Sequence, residues 1–105
     1  MFMPSISSIP LPAAQALSKL GRDLAVARRK RGISTSDMAS RLFVSKDTLW
    51  RLERGERSVA IGTLATAAFV LQMQDRLANL FSPASDSLAL GLDEQRLPKR
   101  IRRHS

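Results

Sequence analysis

The sequence predicts an all-α fold, and three observations carry that prediction. Apolar residues recur at three- and four-residue spacing over successive stretches, which gives each stretch one inward helical face. Ser34 and Ser45 stand directly before two of these stretches, where a hydroxyl can accept a hydrogen bond from an amide left unpaired in a first helical turn. Residues 34–55, STSDMASRLFVSKDTLWRLERG, fold two such stretches around a tight turn.

Taken in order, the first 14 residues, MFMPSISSIPLPAA, are apolar and uncharged, and Pro4, Pro10 and Pro12 interrupt them. They lack the basic start of a signal peptide and the length of a membrane span, and read as a flexible arm. Leu17, Leu20, Leu24 and Ala27 then form the inward stripe of helix one, which ends near Gly32. The run Arg28 to Arg31 lies on its last turn, where cations complement the helix dipole and are also placed to meet phosphates; both roles can hold at once. Helix two starts near Thr35 and turns Met38, Ala39 and Leu42 inward. Val44 lies in the turn, helix three buries Leu49 and Leu52, and Gly55 supplies a left-handed end. Ile61, Leu64, Ala68 and Leu71 form the stripe of helix four. A shorter helix runs from Asp75 through Leu77, Leu80 and Phe81, closed by Ser82 and Pro83. This gives an arm over 1–14, a domain over 15–82 and a basic tail over 83–105.

The small Ala39 lets two helices cross closely and steeply, so the pair around it reads as a helix-turn-helix. Lys46, Asp47, Trp50 and Arg51, with Thr48 between them, are left on the outer face of the second helix. Any surface helix turns polar residues outward. In this setting, however, the same groups are those that pair with base edges in a major groove.

With these residues in place, the segment resembles the lambda-repressor-like, or XRE-type, helix-turn-helix regulators. The resemblance runs from about Leu17 to Phe81. It is strongest over RGISTSDMASRLFVSKDTLWRLERGER, where Ile33, Ala39, Val44, Leu49, Glu53 and Gly55 fall on the family's pattern. It implies a five-helix DNA-binding domain that acts as a homodimer on a two-fold operator. It further implies that Thr35 holds a phosphate, that Ser45, Lys46, Asp47, Trp50 and Arg51 face the groove, and that Arg54 meets the DNA backbone. Arg57 joins them on charge. Glu53 is expected to pair with Arg28 of helix one, tying helix one to helix three. Phe43 departs from the pattern, which usually has glycine at that turn; a ring anchored against a neighbouring helix is the expectation there. Trp50 has two open roles, packing on a sugar or thymine methyl, or folding back onto the protein.

Composition agrees with a polyanionic partner. The chain of 105 residues has 17 Lys and Arg against 9 Asp and Glu, a formal net charge of +8. That charge alone would also serve a non-specific basic nucleic-acid-binding protein, the alternative reading. No cysteine and a single histidine, His104, leave no expected disulfide or metal site, and no cofactor is called for. A catalytic role is not expected, since there is no cysteine nucleophile and no glycine-rich phosphate loop. A cytoplasmic location, away from membranes, follows as an expectation.

In the tail, PASDSLALGLDEQRLPKRIRRHS, Leu88, Leu90 and Leu92 alternate as in one edge strand, and a disordered segment is the other reading. Arg96, Lys99, Arg100, Arg102 and Arg103 close the chain. A small domain with such an extension resembles the HipB-like antitoxins. That resemblance implies a HipA-like kinase toxin as partner, bound through the tail, and repression of the shared operon.

Overall fold

The computed structural model describes residues 8–90. Helix α1 spans Leu11–Lys30, α2 Thr35–Leu42, α3 Lys46–Glu53, α4 Ile61–Val70 and α5 Gln74–Ala78. A 3-10 turn at Pro83–Ser85 and a short helix α6, Ser87–Leu90, follow. The fold is all-α, with no strand among the described residues.

The chain divides into two compact units, Met1–Gln74 and Asp75–Ser105. Helix α5 buries none of its residues, so the periodic pattern there does not signal core. The core lies in the first unit. Met38 of α2, Leu49 of α3 and Leu71 after α4 are its fully buried large side chains, joined by Leu24, Ile33, Ala39, Leu42, Leu52 and Ala67.

Four of the expectations are corrected as follows by the structure. Residues 11–14, assigned to a flexible arm, form the first turn of α1. Pro10 is the N-cap and Pro12 lies in the first turn, where a missing N–H costs nothing, so these prolines start the helix instead of breaking it. In α4, Ile61 is 78% exposed, and Leu64, Ala67 and Leu71 carry the inward stripe. The sequence IGTLATAAFV has no charged residue and is apolar nearly all round, so periodicity had little contrast to work with. Ser87–Leu90 are helical where a strand was one expectation, and Asp86 Oδ1 accepts from Leu88 N–H at 3.2 Å to start that turn. Leu92 and the closing basic run lie outside the described residues.

The fourth correction is Phe43. It adopts a left-handed backbone, φ 57° and ψ 40°, and its side chain is 93% exposed rather than anchored. Its backbone closes the turn: Val44 N–H donates to Ala39 C=O at 3.0 Å. The left-handed conformation costs a residue with a Cβ about 1–2 kcal/mol, and an exposed ring returns little of it. Phe43→Gly is therefore expected to stabilise the domain by about 0.5–1 kcal/mol after the added unfolded-state entropy of glycine. Thermal denaturation checks this, as a rise of a few degrees; an unchanged or lowered midpoint contradicts it.

Candidate nucleic-acid interface

Two serine caps set the start of each helix of the motif. Ser34 Oγ accepts from Asp37 N–H at 3.0 Å, and Ser45 Oγ accepts from Thr48 N–H at 3.0 Å. Both caps fix the direction in which the chain enters its helix. Leu49 and Leu52 then hold α3 against the core, which turns Lys46, Asp47, Trp50 and Arg54 away from it. All four are exposed, as are Ser45, Thr35 and Arg57.

Behind this face, Arg28 and Glu53 brace α1 to α3. Arg28 Nε donates to Glu53 Oε2 at 2.6 Å and its second nitrogen to Oε1 at 3.3 Å. The remaining terminal nitrogen donates to Ile33 C=O at 2.9 Å, so the fork spans three segments of the chain. The two side chains are only 8% and 14% exposed. Burial removes Arg28 from any direct phosphate role and separates it from its neighbours in the basic run. Arg31 donates to Ala27 C=O at 2.9 Å, satisfying the end of α1, whereas Arg29 and Lys30 are exposed with no ion-pair partner among the described residues.

Arg51 occupies a different environment from the other expected groove residues. Its Nε donates to Glu56 Oε1 at 3.3 Å and a terminal nitrogen donates to Ser58 Oγ at 3.1 Å. It is half-buried and links α3 to the loop that follows. Trp50 is 53% exposed, and the Arg54 guanidinium lies 4.3 Å from the centre of its ring. Lys46, Trp50 and Arg54 are spaced by four residues and form one continuous strip along α3.

Sequence reasoning passed over two features of this site. A Cβ on Gly21 would stand 2.5 Å from Glu53 C=O oxygen, so α1 and the end of α3 meet backbone to backbone there. A glycine in the middle of an otherwise good helix was the available signal. The stacking of Arg54 on Trp50 was the second, and their four-residue spacing was the signal for it.

A family model described as a helix-turn-helix domain matches residues 19–81. The chain belongs to that family, and in its broad class it is a DNA-binding helix-turn-helix regulator with DNA as partner. No curated protein and no solved structure matches it. Among the described residues, no helix is long and apolar enough to cross a membrane.

Proposed function

We propose that this chain is an XRE-type, lambda-repressor-like transcriptional repressor that binds a palindromic operator as a homodimer in the cytoplasm. The observation that carries the reading is the exposed face formed by Lys46, Asp47, Trp50 and Arg54 on a helix fixed by a cap at one end and a buried ion pair at the other. A rigid helix with free polar side chains at its N-terminal end suits insertion into a major groove. Ser45, Lys46 and Asp47 take base edges nearest that end. Thr35, Arg54 and Arg57 take phosphates, and Arg51 positions the loop that carries Arg57. The role is binding rather than catalysis, and no cofactor takes part.

Two copies are needed because one short helix reads too few base pairs for strong selectivity. The finer reading as antitoxin to a HipA-like kinase toxin rests on the basic segment after the helix-turn-helix domain, which carries Arg100, Arg102 and Arg103. Co-purification of the full chain with an acidic kinase-like protein supports that part, and retention of the complex after deletion of residues 91–105 removes the tail from it.

Selection of bound duplexes from a random DNA pool tests the main reading. A two-fold consensus whose preference persists as salt rises is the expected outcome. Loss of all sequences together, with a slope of about −0.9 per neutralised phosphate and no consensus, is the result for the alternative, a non-specific basic binder.

A further inference from the structure

Trp50 is a costly residue to leave on a helix that meets DNA, unless the ring is used. An indole is the largest apolar surface among the side chains of α3, and 53% of this residue is open to solvent. Its conformation is also not free. The Arg54 guanidinium, 4.3 Å from the ring centre, occupies one face of the indole. A ring with one face covered is a poor wedge between base pairs, because intercalation needs both faces. The open face and the ring edge remain, on the same strip as Lys46.

Major-groove base edges are nearly all hydrogen-bond donors and acceptors. The thymine C5-methyl group is the one apolar feature among them, and an apolar side chain recognises it by contact. The only polar atom of indole is a donor nitrogen, so the open face of Trp50 has no better match in the groove.

We infer that Trp50 is a specificity-determining residue that reads a thymine methyl group, and that Arg54 positions it by stacking on its other face. This rests on the reading of α3 as the groove helix. It gives Arg54 a second duty: the cation neutralises phosphate charge while its plane locks the indole. Arg51, held by Glu56 and Ser58, leaves Trp50 the space at the middle of the strip.

The test uses the full chain and the duplex recovered from the random pool, with each thymine replaced in turn by uracil. Uracil keeps every hydrogen-bonding group and lacks only the methyl. At one position per half-site the wild-type protein is expected to lose about fourfold in affinity, the worth of one buried methyl-sized group. Trp50→Ala is expected to bind thymine and uracil duplexes equally at that position. Arg54→Lys keeps the charge and therefore the salt slope, but loses the planar stack, and its thymine-to-uracil ratio is expected to fall toward one. Wild-type binding that is indifferent to uracil at every position overturns the proposal without recourse to any variant, as does a consensus with no thymine. Undiminished methyl preference in Trp50→Ala overturns it equally. A pool that yields no consensus at all removes the parent reading and this one with it, whereas a consensus without methyl dependence removes this one alone.

Discussion

Replacing Glu53 with alanine is expected to lower the stability of the domain by about 3–5 kcal/mol, the usual cost of leaving one member of a buried ion pair without its partner. The guanidinium of Arg28 is 8% exposed and loses both contacts to the carboxylate, keeping only the bond to Ile33 C=O. Small domains have only about 5–15 kcal/mol of total stability, so this single change brings the fold close to its limit. Urea unfolding of the variant and of Arg28→Ala measures the loss, and a double-mutant cycle isolates the coupling. The paired replacement Arg28→Met with Glu53→Leu is expected to recover much of it, because two apolar groups leave no stranded charge. A loss of about 0–1 kcal/mol for Glu53→Ala would place the pair with exposed surface bridges and contradict the burial described above.

Gly55→Ala is the second large effect, with an expected cost of about 2–5 kcal/mol from two additive causes. Gly55 has φ 74°, a conformation in which a Cβ costs about 1–2 kcal/mol. That Cβ would also clash with the Leu17 C=O oxygen, a backbone atom that cannot swing aside. Helix α1 would have to move off the end of α3, and overpacking of this kind typically costs about 1–3 kcal/mol. Gly62→Ala is the control: nothing lies within 4 Å of its Cβ position, and the expected change is zero or slightly stabilising. Equal midpoints for the Gly55 and Gly62 variants would show that α1 and α3 do not approach as closely as described.

The elements with strong amphipathic contrast were legible in the sequence. Helices α2 and α3 have polar residues around their inward apolar positions, Met38, Ala39 and Leu42 in one and Leu49 and Leu52 in the other, and Ser34 and Ser45 cap them as their chemistry predicts. Arg28 and Glu53 meet as the family resemblance implies, although the third bond, to Ile33 C=O, has no sequence signal. Where contrast fades, so did the reading. Helix α4 is apolar on most faces, and its inward row lies at Ala67 rather than Ala68. Prolines read as breakers near Leu11 serve as helix starters, because the first turn does not require their N–H. Phe43 has no anchor: local backbone geometry leaves its ring in solvent, and no pattern of apolar spacing reports a backbone angle. In the candidate site, exposure of Lys46, Asp47 and Trp50 followed from the inward positions of Leu49 and Leu52. The pinning of Arg51 did not, because it depends on where the loop through Glu56 and Ser58 returns.

The proposed entry of α3 into a major groove has one direct measurement. The chain has no native cysteine, so Asp47→Cys gives a single attachment point at the exposed N-terminal end of α3. A short photo-crosslinker placed there and irradiated on the selected duplex is expected to join to major-groove atoms of one or two adjacent base pairs in each half-site. Absence of crosslinks from this position in a complex that still forms, or crosslinks confined to the minor groove, would contradict the account.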